Sequence, residues 1–594
     1  MRMLILVPAV LALLALSSST GVQASPGVTT RVSVASDGTQ ANGFSQEPAI
    51  SADARFVAFY SYADNLVAGD INSSFDVFVR DRQAGTTERI SVDSGGNQAS
   101  SHSLSPTISA DGRFVAFYSY ADNLVAGDTN NFCDLDEDGV YNENCVDVFV
   151  RDRQAGTTER VSVDSGGNQA SSHSLSPTIS ADGRFVAFWS FADNVVDGDT
   201  NNFCDLDQDG VYNENCVDVF VRDRQAGTTE RVSVSSIGAQ ANSDSAFPAI
   251  SADGRFVAFH SSASNLVADD SNTCGFGGPG TCPDVFVHDR QTGATTRVSV
   301  DSSGAEANDG SQNSAISISA DGRLVAFGSD ASNLVDGDTN SSNDVFVHDR
   351  QTGETTRLSM NSGGDEANYG GYDAAISADG RFVAFESRAS NLVDGDTNDN
   401  WDVFVHDRQT GMTTRVSFSS GGDQANAGSS ESAVSADGRF VAFGSDASNL
   451  LSGDTNGLPD VFVHDLGDLD GDGELDPFDP CPTSADHTDS DGDLKPDACD
   501  GPGSGNVDCS PPPNGVTAVD ALKVLRHSAG LSVLQNEPCL NIGQPRALTP
   551  PFDWKVGDVD CSGVVNSVDA LKILRAVAGL SVVKPVECPE VKPA

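Results

Sequence analysis

Positive charge is scarce in this 594-residue chain: 34 Lys and Arg stand against 86 Asp and Glu, a formal net charge of −52. That balance repels nucleic acid and anionic lipid and favours cations. Long apolar runs are scarcer still. The run from Leu4 to Leu16 has thirteen residues, too short for a bilayer, and no later stretch is apolar enough for a membrane span. One Arg precedes it and Val22-Gln23-Ala24 follows, so residues 1–24 are expected to be a secretory signal peptide. The product is then secreted, extracellular or held at the cell surface. No Cys lies near that cleavage point to take a lipid, and no Cys-x-x-Cys occurs anywhere, which argues against zinc and redox sites. The twelve Cys fall into close pairs, expected as disulfides in an exported chain. They are Cys133 with Cys145, Cys204 with Cys216, Cys274 with Cys282, Cys481 with Cys499, Cys509 with Cys539 and Cys561 with Cys588. How the last four connect stays open.

What the chain has in abundance is itself. "SADGRFVAF" or a near copy occurs seven times, with its first Phe or Leu at 56, 114, 185, 256, 324, 382 and 440. The steps are 58, 71, 71, 68, 58 and 58 residues, and each excess equals a Cys-bounded insertion, so the unit is constant. Each unit reads as four short strands: "PAIS", "RFVAF.S", "DVFV.DR" and "TTRVSV". Asp-Gly between the first two marks a hairpin that needs positive φ, and Asp53-Ala54 in the first unit is expected to strain it. Middle strands apolar on both faces suit sheets sandwiched between neighbours, and four-stranded sheets around an axis make a β-propeller. The seventh "DVFV", Asp460 to Val463, has no "TTRVSV" after it, while a lone copy stands at Thr29 to Val34. The N-terminal strand is therefore expected to close the last of seven blades, removing exposed sheet edges. Residues 25–466 form this mainly β ring. Its repeats resemble those of TolB-type and WD-like propellers, a resemblance that implies a binding platform and assigns no chemistry.

Residues present in every blade serve the repeat, whereas a site needs a singular constellation. The Asp of "SADG" and the Asp and Asn of "GDTN" read as turn and loop hydrogen bonding, with a weak calcium clip such as Asp338, Asn340 and Asp344 as the alternative. His288, His348, His406 and His464 share a position with Arg80, Arg151 and Arg222, which reads as a solvated strand position. His102, His173 and His260 are blade-specific, yet no Ser-His-Asp or paired-carboxylate arrangement surrounds them in sequence. No catalytic residue is assigned.

Calcium loops are the chemistry the spacing does support. The insertions of blades two and three carry Asp134, Asp136, Asp138 and Asn142, and Asp205, Asp207, Asp209 and Asn213, on a 1-3-5-9 spacing with Gly at position six. Alternate oxygens wrap a hard cation there and Gly permits the bend. The insertion of blade four has no acidic residue. All three are expected between second and third strands, crowding one sector of one rim. Residues 467–500 repeat the loop twice, as Asp468, Asp470, Asp472, Asp476 and Asp479, then Asp489, Asp491, Asp493, Asp497 and Asp500. This segment resembles tandem thrombospondin type 3 repeats, which implies a stalk stiffened by Ca2+. After a linker at 501–505, residues 506–594 hold two loop–helix units. Asp558, Asp560, Ser562, Asn566 and Asp569 line the second loop, and Asn506, Asp508 and Asp520 the first. Val568, Leu571 and Leu574 make one apolar helix face ended by Gly579. The pair resembles a type I dockerin, a small α-helical module whose family partner is a cohesin.

The expected function is a secreted, calcium-binding, non-catalytic platform for a protein or glycan partner, anchored or clustered by its tail. Two alternatives stand beside it: an extracellular enzyme of polysaccharide or peptide breakdown delivered by the dockerin-like module, and a surface-layer structural protein.

Overall fold

The computed structural model describes residues 27–130, 145–201, 216–272, 282–311, 315–468 and 475–478. The expected signal peptide, the insertion loops with Asp134–Asn142 and Asp205–Asn213, most of the acidic segment after 468, and the 506–594 module lie outside the described residues. So do nine of the twelve Cys. Cys133, Cys204 and Cys274 open the three insertions. Cys481 and Cys499 belong to the acidic segment, and Cys509, Cys539, Cys561 and Cys588 to the C-terminal module.

Seven four-stranded antiparallel sheets are arranged as the repeat requires. In blade one the strands are Ser45–Ile50, Phe56–Ser61, Asp76–Asp81 and Thr86–Arg89. The seventh sheet is completed by Val28–Arg31, which pairs antiparallel with Asp460–Asp465: Thr29 opposes His464 and Arg31 opposes Phe462. The ring closure read from the orphan strand is therefore present. Arg31 also reaches Asp454 at 3.3 Å and Asp460 at 3.2 Å, and Ser33 Oγ donates to Asp460 Oδ1 at 2.6 Å.

Apolar burial lies between blades. Val57 and Phe59 of blade one meet Ala442, Val461 and Val463 of blade seven, and equivalent clusters fill the other joints. Phe59 stacks on Phe78 within its blade at 6.0 Å, a pair repeated around the ring. Truncating such a ring costs about 3–5 kcal/mol. The "R" of "SADGR" forks onto the Asp of "DR": Arg55 to Asp81 at 2.7 Å. Around the axis, the Ala of "SADG" in each blade bonds backbone to backbone with that of the next, in a closed circle. Ala52 N donates to Ala110 O, and the sequence continues through Ala181, Ala252, Ala320 and Ala378 to Ala436, whose N–H returns to Ala52 O. Ala54 sits at φ 55° where the other blades have Gly, the strain the sequence anticipates.

Two details depart from the sequence reading. In five of the seven blades the first strand begins three residues before the "PAIS" position, because a bulge shifts its register, between Gln46 and Ala49 in blade one. The shared His position is buried, not solvated. His288, His348 and His406 each face a Thr hydroxyl of the neighbouring strand at 2.9 Å, and His464 faces Thr29. That hydroxyl donates to a carbonyl, Val234 O for Thr295, so the ring Nδ1–H donates to it. Arg80 makes the same bond to Thr87 and goes on to Ala35 O, which is why Arg and His interchange. Burial pushes His406 and His464 down to about 4.

Leu475 and Phe478, within the acidic segment, are buried against blades six and seven, with Phe478 5.5 Å from the Phe382 ring. Of the expected ligands there, Asp468 is half-buried and Asp476 buried.

Candidate functional site

The seven first strands line a central channel of about 550 Å³. The alanine circle lies at one end. At the other end the bulges bring residues to the mouth in the left-handed region: Glu47 at φ 48°, Ser105 at 48°, Ser176 at 45°, Phe247 at 51°, Asp373 at 48° and Glu431 at 57°. Four of these precede a proline, which itself disfavours compact backbone at the residue before it. Strained backbone held by a rigid scaffold is a feature of functional sites. It is also where otherwise repeating blades differ. Beside the bulges, the residue before the closing Ser of each second strand varies likewise, as Tyr60, Tyr118, Trp189, His260, Gly328, Glu386 and Gly444.

These two positions divide the mouth into arcs. Blades six, seven and one supply Asp373, Glu386, Glu431 and Glu47. Glu47 N donates to Glu431 Oε2 at 2.7 Å, Ser105 Oγ donates to Glu47 Oε2 at 2.6 Å, and Ala315 N donates to Asp373 Oδ1 at 2.8 Å. Burial, then the adjoining Asp373 carboxyl, holds Glu386 far above the usual carboxylate range. Burial, reinforced by the Glu47 and Asp373 charges and opposed by the Glu47 N–H, pushes Glu431 up to about 7. Burial also raises Glu47. Blades one to four supply Tyr60, Tyr118, Trp189 and Phe247. Phe247 is 53% exposed and lies 5.9 Å from Trp189. Burial pushes the Tyr118 hydroxyl up to about 12. Sequence reasoning missed this site because its members come from separate blades; comparing the seven copies column by column finds both variable positions.

The insertions of blades two to four join second to third strands as expected, and their roots open on the mouth side. Cys145 N bonds Asn130 O, Cys216 N bonds Asn201 O, and Cys282 N bonds Asn272 O, at 3.0 to 3.2 Å. Cys145, Cys216 and Cys282 are disulfide-bonded. The pairings expected for Cys481 and Cys499, and among Cys509, Cys539, Cys561 and Cys588, fall on residues outside the described part. His102 and His173 are structural, each accepting a backbone N–H, of Phe75 and Val146, at 3.0 Å.

The "GDTN" loops carry a guanidinium of their own. In blade one Arg89 lies 3.4 Å from Asp70 and 3.8 Å from Asp76, and Gln98 Nε2 donates to both carboxylates, at 2.6 and 3.0 Å. In the postulated clip Asn340 turns its NH2 to Asp344, 3.1 Å away, so it donates there. Blades four and five have Glu306 and Glu366 in place of Gln. This gathers Asp270, Asp284 and Glu306, and Asp338, Asp344 and Glu366, with oxygens within 4.8 Å of one another. Arg297 and Arg357 enter these clusters.

No protein-family profile matches the chain. No curated protein matches it. Solved structures do. TolB from Acinetobacter baumannii is similar at 16% identity over 54% of this chain and 59% of that one, with a TM-score of 0.30. An oligogalacturonate lyase from Vibrio parahaemolyticus shares 11% identity over 74% and 93%, TM-score 0.42. The β-propeller domain of the trilobed protease from Pyrococcus furiosus shares 11% over 71% and 95%, TM-score 0.41. The chain spans 59% of the TolB structure it matches. Its own seven four-stranded sheets make the described part of this protein a seven-bladed β-propeller, and TolB is among its structural neighbours.

Proposed function

We propose that this protein is a secreted, calcium-binding β-propeller that works as a non-catalytic binding platform and takes its protein or glycan partner at the channel mouth. One observation carries the reading: blades built from a near-identical unit diverge at the mouth, on backbone held left-handed. A rigid ring with variable, strained positions around a concavity suits recognition. The acidic segment at 467–500 acts as a calcium-stiffened stalk and the 506–594 module as a dockerin-like anchor, with a cohesin-like partner. Their support is the ligand spacing in the sequence.

The test is a pull-down from the native extracellular fraction with the full chain, Phe247→Ala and Glu431→Gln, in calcium and in chelator. Partners retained by the wild type and lost by the mouth variants fit the platform; partners lost only in chelator belong to the stalk or tail. A second reading, an enzyme of polysaccharide or peptide breakdown, is favoured by the Asp373–Glu386 carboxyl pair. A buried acid held well above the usual carboxylate range beside a second carboxyl group suits proton transfer. Turnover on a glycan and peptide panel, abolished by Glu386→Gln, would establish it in place of the platform.

A further inference from the structure

The mouth is polarised in a way that narrows its ligand. Among the residues lining the channel, Glu47, Asp373 and Glu431 bring three carboxyl groups, and there is no Lys or Arg; the His at the mouth, His260, is buried on the opposite arc with its ring 6.3 Å from Phe247. None of Glu47, Glu386 and Glu431 is in an ion pair with a described residue, although Glu386 is only 8% exposed. Arg388, two residues beyond Glu386, is engaged elsewhere: it stacks on Tyr369 at 5.7 Å and donates to Asp399 O at 3.2 Å. Buried carboxyl groups without a cation are costly when ionised, and a bound cation relieves that cost.

A single metal ion does not fit the spacing. No three of these four carboxyl groups bring oxygens within 4.8 Å of one another, unlike the two clusters in blades four and five. A larger, polyatomic cation spans them. Independent observations point to the rest of the ligand. The hydroxyls of Thr107, Thr178 and Ser432 on the channel wall, and the Trp189 indole N–H beside Phe247, have no hydrogen-bond partner among the described residues. These groups can all donate, and they suit a chain bearing carbonyl acceptors. The exposed Phe247 face offers an apolar platform to a methylene stem.

We infer that the channel mouth binds the protonated amine or guanidinium of a peptide, a Lys- or Arg-bearing segment of a protein partner, with its backbone carbonyls turned to the Trp189 side. The inference rests on the reading of the mouth as the binding surface and names the class of its ligand. The cation sits among Glu47, Glu431 and the Asp373–Glu386 pair, and its stem lies toward Phe247.

The experiment is calorimetric titration of the full chain at physiological ionic strength. The probes are an acetylated Gly-Lys-Gly-Lys-Gly amide, the same peptide with Gln for Lys, and a neutral cello-oligosaccharide. The expected result is binding of the Lys peptide and not of the Gln peptide. The double variant Glu47→Gln, Glu431→Gln should weaken it about tenfold or more, while Glu354→Gln on the outer rim leaves it unchanged. Gln keeps the oxygens that accept from Ser105 and from the Glu47 N–H, and an unshifted melting curve verifies the fold of the double variant. Equal binding of the Lys peptide by wild type and double variant reports only the general acidity of the surface and overturns the inference. Binding of the oligosaccharide or the Gln peptide, lost in Phe247→Ala, overturns the cation while leaving the platform standing. If no probe binds and no native partner responds to Phe247→Ala or to the double variant, both fall.

Discussion

Replacing Glu306 by Gln should stabilise this protein, and by more at alkaline than at acid pH. The substitution converts blade four to the form found in five other blades, where Gln98, for example, donates to Asp70 and Asp76 from one nitrogen. In blade four a third carboxylate, which can only accept, stands in that donor's place. Arg297 turns to Glu306 and stands 3.7 Å from Asp270. Asp270 Oδ1 has no hydrogen bond, although the side chain is 1% exposed. Burial first, then the Asp284 charge, push Asp270 up from 3.8 to about 7. A carboxyl raised in the folded state contributes stability below its unfolded value and loses it as pH climbs through the folded one, here between about 4 and 7. The full displacement corresponds to about 4 kcal/mol. Burial and Asp284 remain in the variant, and solvent at the open edge of the cluster screens Glu306. Glu306 also gives up its own contribution, since the Ser271 N–H and Arg297 hold it below the ordinary carboxylate value against its burial. Of the whole, only about 1–2 kcal/mol is recovered at pH 8. For a ring of this size that is a rise of roughly 1–2 °C in Tm. Scanning calorimetry at pH 5 and pH 8 in chelator measures it. A variant no more stable than wild type at pH 8, or a gain independent of pH, refutes the reasoning.

Arg31→Met should cost about 3–5 kcal/mol in urea denaturation, because it leaves Asp460 buried without its cation at the closing sheet. Gly112→Ala places a methyl 2.1 Å from the Phe56 ring at φ 71°; since Ala54 occupies the matching joint, the expected loss is modest, about 1–2 kcal/mol, and an unfolded variant would contradict it. His406→Gln should flatten the acid side of the stability profile. A histidine lowered to about 4 contributes stability above 6.5 that disappears as pH falls toward 4, so wild type should lose roughly 1–3 kcal/mol more than the variant between those values.

Blade number and ring closure were legible because they rest on counting: seven copies of "DVFV", six of which are followed by their own outer strand, leave the orphan at Thr29 one place to go. Strand starts were less so, since the bulge at Glu47 lies ahead of the "PAIS" pattern and depends on how the strand meets the axis. The buried His464 and its equivalents were misread because exchange with Arg suggests water. Here both side chains serve one Thr hydroxyl, and the longer one snorkels to a neighbouring turn. The carboxyl pair Asp373–Glu386 was illegible for a different reason. Its members face each other across two strands of one blade, and their significance comes from Glu431 and Glu47 in the next two.

The pairing of Val28 with Asp465 also has a consequence in time. Of the described strands, Val28–Arg31 is made before all the others, and it waits for a partner made more than four hundred residues later. Until then both extremities of the nascent disc display unsatisfied amides, and a loop spanning the whole propeller must shut before either edge is quenched. Maturation should therefore finish in a single late step, and an escort that shields Thr29 and its neighbours during synthesis would govern yield more than any stabilisation of the blades themselves.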